Sequence, residues 1–94
     1  MIRVGYFQFN PFFLQPEKNY ERVFSGLKEA EADIIVLPEL PFSGYNFENR
    51  QQVELVAEVP EDSEGLKKLV QLAAEKEMAI ITGFAEKDGA DIYN

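Results

Sequence analysis

Apolar side chains occupy both alternating faces of the segment from Ile2 to Phe9, in which only Arg3 and Gln8 are strongly polar. Because successive side chains of a strand point to opposite faces, this pattern predicts a β-strand that is buried on both sides. Asn10 and Pro11 follow, and proline cannot donate to a strand ladder, so the strand is expected to end there. The chain therefore opens with a strand of the kind found inside parallel sheets.

Two later segments repeat apolar residues every three or four positions, which is the spacing of one face of an α-helix. The first helix is predicted to begin at Pro16, where proline suits the first turn, and to run to about Ala32. The second is predicted to begin after Asp62 or Ser63, both competent N-caps, and to run to about Glu77. The first stripe comprises Tyr20, Val23, Phe24, Leu27 and Ala30, and the second comprises Leu66, Leu69, Val70, Ala73 and Ala74.

Short aliphatic runs predict the other strands. Ile34 to Leu37 and Met78 to Phe84 each follow a predicted helix, and such runs are typical of parallel strands. Asp88-Gly89 is a hairpin signal that leads into Ile92-Tyr93-Asn94. The first strand-helix-strand connection is expected to be right-handed.

The segment between the second strand and the second helix loses its periodicity. Residues Pro38 to Asn49 collect proline, glycine, asparagine and aromatic side chains, and they are predicted to form a loop. A short helix is predicted within Arg50 to Val59. The resulting order β-α-β-α-β-β predicts an α/β fold. Two crossover helices can hardly cover both faces of a sheet, so we expect these residues to be the amino-terminal part of a larger domain.

Composition excludes several kinds of function. Nine Lys plus Arg against seventeen Asp plus Glu give a net charge of −8, without the basic cluster that nucleic acid or anionic lipid requires. The chain has no His and no Cys, so it cannot form a disulfide or a Cys-His nucleophile pair, and it lacks the usual zinc ligands. No apolar run approaches the roughly 20 residues that span a bilayer, and no signal peptide is apparent, which favours a cytoplasmic protein.

One carboxylate lies where α/β proteins bind ligands. Glu39 follows the second strand, and ligands of open α/β sheets bind beyond the carboxyl ends of the strands. Enclosure by Leu40, Phe42 and Tyr45 would partly desolvate this carboxylate, raise its pKa and suit it to work as a general base. From position alone, a surface glutamate in a loop is the simpler interpretation.

The order of several motifs resembles the opening of the nitrilase superfamily of carbon-nitrogen hydrolases. The resemblance covers essentially the whole chain and implies an α-β-β-α sandwich, with residues 1–94 as the amino-terminal portion of a single, apparently truncated domain. The motifs are Gln8-Phe9-Asn10-Pro11, Asn19, the run from Ala32 to Leu40, Ser43-Gly44-Tyr45 and Tyr93-Asn94.

The resemblance also implies a chemistry. It assigns Glu39 as the general base of a Glu-Lys-Cys triad and places Tyr45 near the substrate. No lysine here lies in the family's context and there is no cysteine, so the other two members are expected beyond Asn94 and this segment alone is expected to be inactive. The implied substrates are small amides, nitriles or carbamoyl compounds. No cofactor and no metal are expected, and the implied assembly is a homo-oligomer formed through the sandwich faces.

Two alternatives are also compatible with the sequence. The chain could be a non-catalytic α/β interaction module, in which case Glu39 would be dispensable. It could also belong to a glutaminase domain that feeds ammonia to a fused synthetase, which uses the same triad.

Overall fold

A computed structural model describes residues 1–94 and contains a three-stranded parallel sheet in the order β1-β2-β3. The strands are β1 (Val4–Tyr6), β2 (Ile34–Val36) and β3 (Ala79–Ile81). Gly5 pairs with Ile35, which pairs with Ile80, so the three strands are in parallel register. The predicted parallel sheet is confirmed, although each strand is shorter than predicted because ladder pairing lasts only as long as its neighbour stays extended.

Three helices connect the strands: α1 (Pro16–Lys28), α2 (Arg50–Val56) and α3 (Glu64–Glu75). Ser63 caps α3, since its hydroxyl oxygen accepts from the backbone N–H of Leu66 at 3.1 Å. Asn49 caps α2 in the same way. The short helix predicted in this region is therefore confirmed.

Both long helices end earlier than predicted. The chain leaves α1 after Lys28 because it must return to the sheet, where Asp33 and Ile34 both donate backbone N–H groups to the carbonyl of Arg3. α3 ends because Glu77 adopts a left-handed conformation with φ of 50°. Met78 then donates its N–H to the carbonyl of Ala73, which closes a Schellman motif without the usual glycine.

The core lies between the sheet and the two long helices. Val23 and Leu27 of α1 are fully buried, and they share a cluster with Ile35 of β2 and Leu69 of α3. The predicted stripe of α3 is wrong at Val70, which is 71% exposed, and at Ala74, which is also exposed, whereas Leu72 packs against the core. The helix is rotated about its axis relative to the prediction, because the side of α3 that faces the core depends on its packing against α1 and the sheet and not on its own sequence alone.

The opposite face of the sheet is apolar and uncovered within these residues. Val4, Tyr6, Val36 and Ile81 are 66%, 78%, 37% and 55% exposed. The prediction that β1 is buried on both sides is therefore wrong for this segment. The strand order β1-β2-β3 does not reverse, so two crossovers of the same hand place α1 and α3 on the same face of the sheet. The other face therefore receives no helix from these residues.

A separate antiparallel hairpin follows the sheet, formed by β4 (Glu86–Asp88) and β5 (Asp91–Tyr93). The predicted hairpin is confirmed, but β3 is not its first arm, because the chain leaves the sheet after Ile81. The central turn residues are Gly89 and Ala90, one position later than an Asp-Gly turn would place them. Only Gly89 has a positive φ, 61°, as a type II′ turn requires at its first central position.

None of the three helices combines the length and the apolar character needed to cross a lipid bilayer.

Candidate active site

Glu39 lies at the carboxyl edge of the parallel sheet, in the loop that follows β2. Its backbone lies against the end of the neighbouring strand: a Cβ atom added to Gly83 would meet the carbonyl oxygen of Glu39 at 2.2 Å. Such a distance is closer than real Cβ contacts come, so this approach requires glycine. The chain after β3 and the Glu39 loop are thus in direct backbone contact.

The Glu39 side chain is exposed and reaches the hairpin. The side-chain amide of Asn94 donates a hydrogen bond to Glu39 Oε1. The expected enclosure by Leu40, Phe42 and Tyr45 is not present within these residues: Glu39 is exposed, and Phe42 is 2% exposed because it is buried in the core beneath the loop. Because the Phe42 side chain points into the core, it cannot also cover the Glu39 carboxylate, which lies on the outer side of the loop.

Tyr45 lies on the same loop, as the sequence predicted. Its hydroxyl oxygen accepts a hydrogen bond from the backbone N–H of Leu40 at 3.1 Å. The ring is 44% exposed and lines a shallow cavity of about 260 Å³, together with Tyr6, Gln8 and Pro38. The structure therefore brings Tyr45 beside the Glu39 loop and gives it one wall of a small open cavity.

A buried asparagine supports this loop from below. Asn19 is 0% exposed, and its Oδ1 accepts from the backbone N–H of Phe12 at 2.7 Å. Its Nδ2 donates to the carbonyl oxygens of Phe12 at 2.8 Å and Phe42 at 3.0 Å. No role for Asn19 was predicted, although its spacing indicates burial: Asn19 lies four and eight residues before Val23 and Leu27, on the buried stripe of the helix.

A second polar group lies beside it. The Tyr20 ring stacks on Phe42, with centroids 3.9 Å apart and 7° between the planes. The Tyr20 hydroxyl donates to the Glu58 carboxylate at 2.8 to 2.9 Å, and Ser63 donates to the same carboxylate at 2.6 Å. Burial of the phenol, helped by the hydrogen bond to Glu58, raises the pKa of Tyr20 well above its ordinary value. Tyr20 is thus a neutral hydrogen-bond donor at physiological pH.

Other components of a catalytic site are absent from these residues. The three ion pairs of the chain lie elsewhere, so no Lys or Arg nitrogen is within 4.0 Å of the Glu39 carboxylate. The sequence contains no cysteine, and no group of three or more acidic residues is close enough together to hold a metal ion. By itself the loop presents a carboxylate and an aromatic wall.

An α/β fold with loops gathered at the carboxyl edge of a parallel sheet is the setting in which such proteins bind their ligands. The sequence pattern of one family, described as carbon-nitrogen hydrolase, matches residues 3–94. The chain belongs to the carbon-nitrogen hydrolase family. The resemblance to the amino-terminal part of the nitrilase superfamily is thereby confirmed.

Individual relatives agree with this assignment. The chain is 41% identical over 97 residues to a protein named nitrilase from Pyrococcus abyssi (strain GE5 / Orsay), covering 100% of this chain and 37% of that protein. A crystal structure of an N-terminal amidase with an Asn-Glu-Ala peptide superposes with a TM-score of 0.85 at 23% identity, covering 99% of this chain. A structure of an N-terminal amidase with a Gln-Val peptide matches with the same values.

The structural likeness confirms the predicted α/β fold class. The chain spans 37% of the length of the nitrilase and 24% of the length of the two amidase chains.

Proposed function

We propose that residues 1–94 form the amino-terminal portion of a single carbon-nitrogen hydrolase domain and supply its general base, Glu39. The observation that carries this proposal is the location of Glu39, which lies at the carboxyl edge of a parallel sheet on a loop fixed by backbone contact with Gly83. A carboxylate that is exposed within this segment is free to face groups contributed by the rest of the domain.

In the proposed reaction, Glu39 takes the proton of a cysteine thiol located in the remainder of the polypeptide. The thiolate attacks the carbon of an amide or nitrile, and for an amide the nitrogen leaves as ammonia or an amine with the proton that Glu39 returns. A nitrile instead gives a thioimidate, which one water molecule converts to the thioester with release of ammonia. Glu39 then activates a water molecule, which hydrolyses the thioester to the carboxylic acid and restores the thiol. A lysine, also in the remainder, stabilises the oxyanion, a contribution of roughly 3 to 4 kcal/mol where such donors have been removed.

The proposed substrates are small amides, nitriles or carbamoyl compounds, with Tyr45 contributing one wall of the pocket through its exposed ring. The apolar outer face of the sheet supports a sandwich in which a second sheet covers β1, β2 and β3. We propose homo-oligomers formed through the sandwich faces. Residues 1–94 without the remainder are expected to have no hydrolase activity, because they lack the nucleophile.

The test uses the complete enzyme, meaning the polypeptide that carries these residues together with the cysteine and lysine. Glu39→Gln keeps the size of the side chain and removes the base, and ammonia release is measured with small amides, nitriles and glutamine. We expect a loss of about 10²- to 10⁴-fold in turnover with an unchanged midpoint of thermal unfolding.

Glu61→Gln is the matched control, because Glu61 is an exposed glutamate that precedes α3 and is expected to leave turnover unchanged. If Glu39→Gln retains full turnover, Glu39 is not the base. If the complete polypeptide releases no ammonia from any of these substrates, the interaction-module alternative gains support. Turnover of glutamine alone would favour the glutaminase alternative.

A further inference from the structure

We infer that Asn19 is a positioning residue for Glu39, acting through Phe42. Asn19 does not approach the carboxylate itself. It holds the loop that carries Glu39 by hydrogen bonds to the backbone beneath it. This inference rests on the proposed role of Glu39 as the general base.

The side-chain amide of Asn19 is used completely and is fully buried. Its oxygen accepts one hydrogen bond and its nitrogen donates two, all to backbone groups of two different loops. An amide can donate twice and accept at the same site. An apolar replacement would leave the Phe12 N–H and the Phe42 carbonyl oxygen unpaired, and it would leave the Phe12 carbonyl oxygen only the 3.4 Å hydrogen bond from the Gln15 N–H. Asn19 therefore holds the two loops that pack above the buried face of α1.

The hydrogen bond to Phe42 restrains Glu39 because the backbone segment between the two residues is stiff. Phe42 lies three residues after Glu39, and Pro38 and Pro41 restrict the backbone between β2 and Phe42. The Phe42 ring is stacked on Tyr20, the residue next to Asn19 on α1. Two consecutive residues of one helix therefore fix Phe42, one by its carbonyl oxygen and the other by its ring.

The same side chain ties together two loops at the carboxyl edge. Phe12 belongs to the loop after β1 and Phe42 to the loop after β2. A third contact reinforces the pair, because Leu14 donates its backbone N–H to the carbonyl of Ser43 at 3.0 Å. When Asn19 is replaced, we expect both loops to loosen and Glu39 to lose its defined position.

The test compares Asn19→Ala with Leu27→Ala in the complete enzyme, with Glu39→Gln alongside. Leu27 is equally buried on the same helix but touches neither loop by a hydrogen bond, so its replacement reports loss of stability alone. With the amide or nitrile that gives the fastest ammonia release, Asn19→Ala is expected to lower kcat about 10- to 100-fold with KM changed less than threefold. Leu27→Ala is expected to keep kcat within about twofold below its unfolding midpoint.

A measurement independent of activity accompanies the kinetics. Hydrogen exchange, followed by mass spectrometry, is expected to accelerate in the loop segment 38–45 of Asn19→Ala and to stay unchanged there in Leu27→Ala. Asn19→Ser, which keeps one donor, serves if Asn19→Ala does not fold, and it should show the same changes to a smaller extent.

The proposal is overturned if loop exchange and kcat of the Asn19 variants match those of Leu27→Ala. If Glu39→Gln retains turnover, the proposed function fails, and loop exchange alone then decides whether Asn19 holds the loop. Faster exchange supports that role, and unchanged exchange refutes it.

Discussion

Gly83→Ala is the sharpest perturbation of the Glu39 loop that the chain offers. The new methyl group would lie 2.2 Å from the Glu39 carbonyl oxygen and 3.2 Å from its carbonyl carbon, and ordinary contact begins near 3.4 Å. The obstacle is backbone and cannot rotate away, so one of the two segments must move by about 1 Å. Displacing the proposed base by that distance is expected to cost about 10²-fold in rate, or about 2.7 kcal/mol of activation free energy.

The assay is kcat for ammonia release by the complete enzyme, together with the midpoint of thermal unfolding. Gly5→Ala is the matched control, because the same methyl group there meets Ile35 at 3.7 Å, an ordinary contact. Overpacking is expected to cost Gly83→Ala about 1 to 3 kcal/mol of stability, and kcat is expected to fall about 10²-fold even at temperatures where the variant remains folded. Equal kcat values in Gly83→Ala, Gly5→Ala and the unmodified enzyme would refute the argument that this contact places Glu39.

Two further predictions concern the network beneath the loop and the open face of the sheet. The pKa of Tyr20 is raised in the folded state, so above about pH 10 the unfolded state binds fewer protons and this contribution to stability falls as pH rises, by up to about 1.4 kcal/mol per unit. The stability advantage of the unmodified protein over Tyr20→Phe should therefore shrink in alkaline denaturation curves, and parallel curves would contradict this. Ile81→Lys should lower the unfolding midpoint of the complete enzyme by several degrees, because a covering sheet would bury the charge. Val70→Lys, on an exposed helix position, should not, and equal effects of the two would argue against a covered face.

Much of the fold was predictable because it is encoded locally. The apolar periodicity of α1 and the aliphatic run of β2 are properties of neighbouring residues, and both elements begin where predicted. The ends of elements were not predictable in the same way. α3 ends because Glu77 adopts a left-handed conformation, and the sequence has no glycine there to indicate it. Val70 is exposed because packing against α1 sets the rotation of the helix about its axis.

In the candidate site, too, the features that depend on neighbouring residues were predictable and those that depend on distant residues were not. The sequence placed Glu39 and Tyr45 on one loop at the carboxyl edge, since the position of a loop follows from the strand before it. The exposure of Glu39 and the contacts of Asn19 depend on residues far away in the chain. Single polar residues within an apolar stripe carry too little local information to show which distant carbonyl groups they will meet.

Asn19 links the loops after β1 and β2 by hydrogen bonds, and the kind of link determines how the carboxyl edge of the sheet responds to its surroundings. A disulfide across the same loops would hold them permanently and would depend on the redox state of the compartment. Hydrogen bonds from a buried amide hold them in a way that reductants and oxidants do not change. They also break and re-form reversibly, so the edge of the sheet can open locally while the three strands remain paired.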